Sequence, residues 1–244
     1  MRLDKYLASN TALSRNEVKQ ALKSGRVSLD GDICRSAKQH IAPEQNQIEL
    51  DQKRINPLGE LYLMLNKPKA YVSARKDAQQ PCVFDLLRAE NSYANTISEQ
   101  LLKAHTAKLS IVGRLDQDTT GLLLLTTDGQ WNHRICSPKT ECIKTYIADL
   151  ARPLRDDAEQ LFEQGLQLHG DKELTAPATL KRLDAQKACL SIYEGRYHQV
   201  KRMFAAIGNH VDKLHRESIG KLKLDTQLQA GQFRLLSPDE VALF

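Results

Sequence analysis

Cysteine is sparse and shows no pairing pattern in this chain of 244 residues: Cys34, Cys82, Cys136, Cys142 and Cys189 are odd in number and include no Cys-x-x-Cys. Such a set excludes a disulfide framework and offers no knuckle for zinc, so five reduced thiols and no metal are expected. Long apolar runs are also missing. None approaches the roughly 20 residues a bilayer crossing needs. Met1-Arg2-Leu3-Asp4-Lys5 carries an acid and lacks the apolar stretch of a signal peptide. A cytoplasmic chain with no membrane partner is therefore expected. No fixed-period repeat is visible, and no heptad pattern or exposed apolar strip calls for a partner subunit, so a monomer is expected. With 41% hydrophobic and 27% charged residues, the composition excludes global disorder.

The net charge is only +5, yet it is unevenly spread. Residues 1–40 hold eight Lys/Arg (Arg2, Lys5, Arg15, Lys19, Lys23, Arg26, Arg35, Lys38) against four acids, and residues 191–223 hold seven against three. The remainder is net acidic. Two separate basic regions suggest one long anionic ligand touching two surfaces.

The first region reads as a small α+β unit. Leu3, Tyr6 and Leu7 recur at helical spacing, and Ser14-Arg15-Asn16-Glu17 is a capping box opening a second helix. That helix sets Val18, Ala21 and Leu22 on one face and Arg15, Lys19 and Lys23 on another, and Gly25 ends it. Arg26 to Leu29 alternates as a strand, Asp30-Gly31 turns, and Ile33-Cys34 returns. The set Arg2-Leu3-Asp4-Lys5-Tyr6-Leu7, Ser14-Arg15, Gly25-Arg26-Val27 and Asp30-Gly31 resembles the S4-like RNA-binding module, over about the first 45 residues. The resemblance implies structured RNA as the partner, with Arg2, Lys5, Arg15, Lys19, Lys23 and Arg26 as candidate contacts.

The stretch from Ala42 to Gly59, with Pro43 and Pro57 among polar residues, reads as a linker. It divides the chain into residues 1–58, an S4-like module with its linker, and residues 59–244, a larger domain. In the second part, strands are expected at Tyr62–Asn66, Tyr71–Ser73, Leu122–Thr126, Thr145–Leu150, Ala178–Leu183, Cys189–Tyr193, Val211–Leu214 and Phe233–Leu236. Helices are expected at Val83–Leu87, Asp156–Gln164, His198–Ala206 and after the capping box Ser237-Pro238-Asp239-Glu240. Residues 88–108 carry no readable motif and are taken as an insertion. The pattern predicts an α+β fold with a mostly antiparallel sheet flanked by helices.

The densest motif is Gly113-Arg114-Leu115-Asp116-Gln117-Asp118-Thr119-Thr120-Gly121, a polar loop that empties into the apolar run Leu122–Leu125. Polar groups on a loop beside a rigid strand suit catalysis. Asp118 and Asp128 read as turn residues, and no third carboxylate completes a cation site with Asp116 and Asp118. Lys144-Thr145-Tyr146 opens a strand, and Glu194–Phe204 leads into a basic helix followed by Leu214–Gly220. Aromatics make up only 5% of the chain, so few rings are available to stack on bases, and from spacing alone Tyr146 reads as half-buried core.

Together these segments resemble the pseudouridine synthases of the RsuA/RluB/RluE/RluF group, from about residue 60 to the C-terminus. The stretch Asp128–Ile135 and the block Glu194–Gly220 favour the small-subunit member over the large-subunit ones. Ala70 departs from the pattern, which usually has Gly there, and residues 88–108 are longer than usual. The resemblance implies an isomerase that breaks the uracil–ribose bond, turns the base and rejoins it through carbon, with no cofactor. It maps the catalytic aspartate onto Asp116, with Lys201 and Arg114 as cations beside it, Tyr146 stacked on the target base and Leu214 lining the pocket. Arg196, Arg202 and Arg216 become candidate phosphate contacts. The implied substrate is 16S rRNA at the position usually called uridine 516, free or in a ribonucleoprotein assembly intermediate. Two alternatives stand beside it: the same reaction on 23S rRNA, and a non-catalytic S4-type ribosome-assembly factor.

Overall fold

The computed structural model describes every residue except 12, 58, 96, 98, 138 and 139. It divides into two compact units, Met1–Leu61 with Ser98–Leu109, and Tyr62–Ile97 with Ser110–Phe244.

In the first unit, α1 (Leu3–Asn10) and α2 (Arg15–Lys23) precede four short strands, β1 (Val27–Leu29), β2 (Asp32–Ile33), β3 (Ile48–Leu50) and β4 (Lys53–Arg54). The strands pair antiparallel in the order β2-β1-β3-β4. The capping box forms: Ser14 Oγ accepts from the Glu17 amide at 3.3 Å, and the Glu17 carboxylate accepts from the Ser14 amide at 2.7 Å. Leu3, Tyr6, Leu7, Val18, Ala21 and Leu22 are buried with Val27, Ile41 and Ile48. Residues 42–59 are thus more than a linker. Asp51 (φ 51°) and Gln52 (φ 62°) make a left-handed turn between β3 and β4. Helix α3 (Glu99–Thr106) occupies part of the stretch read as a featureless insertion.

The second unit contains, in chain order, β5 (Tyr62–Lys67), β6 (Ser110–Val112), β7 (Thr119–Thr126), α4 (Gly129–Cys136), β8 (Lys144–Leu150), α5 (Ala158–Gln164), β9 (Thr179–Asp184) and β10 (Lys187–Ile192). It continues with α6 (Gln199–Ala206), β11 (Val211–Ile219), β12 (Leu222–Lys223), β13 (Phe233–Leu235) and α7 (Pro238–Val241). Among the described residues the strands form one nine-stranded sheet in the order β13-β5-β7-β11-β8-β10-β9, with β6 beside β7 and β12 beside β11. Its pairings are antiparallel except β7 with β11. The fold is α+β, as expected. Leu122, Leu123, Leu124 and Leu125 are all buried, so both faces of β7 are covered, which accounts for an unbroken apolar run. Leu122 and Leu124 pack with Met64, Trp131, Ile135 and Ile219 on the α4 side.

Two expected elements differ. Tyr71–Ser73 is no strand; only a single bridge joins Val72 to Cys82. The helix expected at Val83–Leu87 is a 3-10 turn, Val83–Leu86, too short for an α-helical ladder. No helix among the described residues is long and apolar enough to cross a membrane.

Candidate active site

Three neighbouring strands carry the site. β11 lies between β7 and β8, with Leu214 opposite Thr119, and Arg216 opposite both Gly121 and Tyr146. Side chains two apart on a strand share a face. Leu214 and Arg216 on β11, with Lys144 and Tyr146 on β8, therefore face one cavity of about 590 Å³ within the second unit. The loop Gly113–Gln117 forms its near wall, and the turn Tyr193–His198 with the start of α6 forms the opposite rim.

The loop that bears Asp116 is pinned from behind. Ser73 Oγ donates to Leu115 O at 2.6 Å and accepts from the Leu115 amide at 3.0 Å. The Ala70 amide donates to Gln117 O at 2.9 Å. Lys67, at the end of β5, is fully buried, and its ammonium donates to Pro68 O, Gln117 O and Thr119 O at 3.1, 3.2 and 2.8 Å. Burial lowers the Lys67 pKa to about 8, and the nearby Asp118 and Asp116 charges oppose that fall. Arg216 is 1% exposed, and its guanidinium donates to Leu122 O and Gly113 O, both at 2.8 Å.

Asp116 stands at the cavity with its side chain 30% exposed. Lys201 Nζ is 3.1 Å from Asp116 Oδ2 and 2.5 Å from Asp118 Oδ1. His198 Nε2 is 3.5 Å from Asp116 Oδ1. The Asp-x-Asp pair thus embraces a lysine ammonium. Burial works against charge on both partners, and their attraction overrides it: Lys201 is raised and Asp118 is held below the usual carboxylate range. Among the described residues, no group of three His, Cys, Asp or Glu converges as a metal site. Tyr146, 7% exposed, and Leu214 line the cavity together, and Arg114 is exposed on its loop.

The structure brings Arg114, Asp116, Tyr146, Lys201 and Leu214 to one cavity. It treats the candidate phosphate contacts differently. Arg216 is buried and committed to carbonyls, so it braces the loop and presents no surface to a phosphate. Arg196 is bonded to Glu194 and Asp171 and to the carbonyls of Glu173 and Leu174. Arg202 is held by Asp171 at 2.5 Å and by His169 O at 2.8 Å. These two arginines fix the turn before α6 to the 169–174 loop, leaving little donor capacity for RNA. In the first unit, Lys5, Arg15, Lys19 and Lys23 are exposed, whereas Arg2 and Arg26 form ion pairs with Asp4 and Asp51.

Sequence reasoning missed Asp118, His198 and Lys67. Asp118 resembled a turn residue because its partner lies 83 positions away. His198 sits in a left-handed N-cap, φ 48°, inside a block already singled out. Lys67 ends a strand before a proline, where a lysine ordinarily reads as solvated.

One unit exposes a basic helix face, and the other sets a carboxylate–ammonium pair against a cavity lined by tyrosines. Residues 1–56 match the S4 domain, and residues 61–206 match the family described as RNA pseudouridylate synthase. The chain belongs to that family and is an RNA pseudouridine synthase, an isomerase. It is 44% identical over 243 residues to ribosomal small subunit pseudouridine synthase A of Yersinia pestis, spanning 99% of this chain and 97% of that one. To the protein of the same name from Escherichia coli it is 43% identical, spanning 99% of both. A solved structure titled as a pseudouridylate synthase is 40% identical and covers both chains fully, with a TM-score of 0.68.

Proposed function

We propose that this chain converts one uridine of small-subunit ribosomal RNA, the position usually called uridine 516 of 16S rRNA, to pseudouridine, with Asp116 acting on the ribose. The observation that carries the reading is the Asp116 carboxylate, bonded to Lys201 on one oxygen and open to a cavity walled by Tyr146 and Leu214. The substrate assignment draws on the names of the full-length relatives.

The reaction balances without a co-reactant. The N1–C1′ bond breaks, the base turns, C5 bonds to C1′, and the C5 proton is lost as N1 gains one. A carboxylate serves either by attacking C1′ or by taking a ribose proton, and both roles need it ionised. The Lys201 ammonium donates to one Asp116 oxygen at 3.1 Å and holds the carboxylate at the cavity. The target base must leave its stack at a cost of a few kcal/mol. Tyr146 supplies a ring for the extruded base, and Leu214 closes the apolar side. The exposed Lys5, Arg15, Lys19 and Lys23 supply charge for the RNA backbone. We assign residues 1–58 to RNA binding and 59–244 to chemistry. A ribosomal RNA substrate implies a cytoplasmic chain.

The test is carbodiimide mapping of pseudouridine in small- and large-subunit rRNA, each free and as ribonucleoprotein, after incubation with purified protein. One new stop on small-subunit RNA is expected. A stop on large-subunit RNA alone would overturn the substrate, and no stop on any RNA despite intact binding would favour an assembly factor.

A further inference from the structure

Tyr197 is 77% exposed, more than any other large hydrophobic side chain among the described residues. Its backbone is the opposite of loose. Arg196, beside it, is bonded to two acids and two carbonyls. The Arg196 amide donates to Gln199 Oε1 at 2.8 Å, and Gln199 Nε2 donates to Glu194 at 2.6 Å. Arg202 Nη1 donates to the Tyr197 carbonyl itself at 3.3 Å. A rigid turn thus holds out a ring that contributes little to the core.

The ring has an aromatic neighbour. It stacks on His198 with centroids 3.8 Å apart and planes 19° from parallel, and the far edge of that histidine reaches Asp116. Tyr197 lines the rim of the same cavity. One face of the tyrosine is backed by an aromatic ring. The other meets solvent, where a flat π-system fits. The target base has Tyr146 inside the cavity, so the base that meets the rim is an adjacent one.

We propose that Tyr197, backed by His198, is a stacking platform for the nucleobase next to the reacting uridine in the RNA strand; this rests on the RNA pseudouridine synthase reading of the cavity. Pinning the turn in advance means that little order is lost when the base lands. Stacking tolerates any base, so the platform adds affinity and strand placement rather than sequence readout.

The test uses the full-length protein and a short synthetic RNA with one central uridine, carrying 2-aminopurine at either flank, and the same RNA with an abasic site at that flank. Stacking quenches 2-aminopurine. The wild type is expected to quench one flank, and Tyr197→Ala to lose the quenching and bind about 5- to 150-fold more weakly. Tyr197→Phe and Tyr197→Trp retain both properties. On the abasic RNA, wild type and Tyr197→Ala bind alike. Because the ring is exposed, the alanine variant keeps the wild-type melting temperature, and the comparison stays free of folding effects. Absence of quenching at both flanks, or an equal loss on the abasic RNA, overturns the proposal. Failure of the parent reading looks different: no pseudouridine in any rRNA treated with wild type, whatever the result of the Tyr197 series.

Discussion

Ala70 holds a backbone angle that favours glycine, φ +74°, while its amide bonds to Gln117 O beside Asp116. A side chain in the left-handed region costs roughly 1–2 kcal/mol. Ala70→Gly is therefore expected to raise stability by about 1 kcal/mol after glycine's larger unfolded-state entropy is counted, read as a higher urea midpoint. An unchanged or lower midpoint would show that the strain is absorbed elsewhere. The sequence exposed this residue as a departure from a pattern, without the angle that explains it. That Asp116, Lys201, Tyr146, Leu214 and Arg114 share one cavity was readable because they sit in dense, recognisable segments. Asp118 and His198 were not, since their roles come from partners brought together by the fold. Arg216 shows the converse. Its charge suggested a surface contact, yet alternation on β11 turns it inward with Leu214, where three strands meet.

At the scale of elements, the parallel contact between β7 and β11 sets the relation of the Asp116 loop to the cavity floor. Gly121 makes that contact possible. Its φ is +102°, and a Cβ there would lie 2.3 Å from Arg216 O and 2.9 Å from Arg216 N. Gly121→Ala is expected to cost about 3 kcal/mol or more, and to lower activity too because Arg216 carries the Gly113 carbonyl. Denaturation together with a turnover assay checks both, and a stable, fully active variant would refute the role given to this crossing. Elements with strong periodicity, such as β5, β8 and β10, were legible. Helix α4 was not. Its sequence, Gly129–Cys136, includes weak helix formers and buries only Trp131 and Ile135. What starts it is Asp128, read as a turn residue, whose carboxylate accepts from the Gln130 and Trp131 amides at 2.8 and 3.0 Å. The β3–β4 hairpin escaped notice for a related reason: its left-handed turn uses Asp51-Gln52, without the glycine that usually marks one.

For the whole molecule, two basic regions of sequence resolve into different things. The arginines of the second are largely consumed inside the structure: Arg196 and Arg202 by Asp171, and Arg216 by carbonyls. The stripe Arg15, Lys19 and Lys23 on α2 stays exposed. A share of the salt dependence of RNA binding should therefore reside there. Replacing all three by Gln in the full chain is expected to flatten the slope of log Kd against log salt by about two units. An unchanged slope would remove the stripe from the RNA-binding surface. The α+β class was legible from the pattern of elements. The grouping of Ser98–Leu109 with the first unit was not, because a contact between segments distant in sequence leaves no local signal.

The central claim is that Asp116 does chemistry and contributes little to holding RNA. Asp116→Asn, nearly the same in shape, tests it when binding and conversion are measured on the same small-subunit rRNA in parallel with wild type. The account predicts a Kd within about threefold of wild type and no detectable pseudouridine. Pseudouridine formed at the wild-type rate by the variant would contradict it.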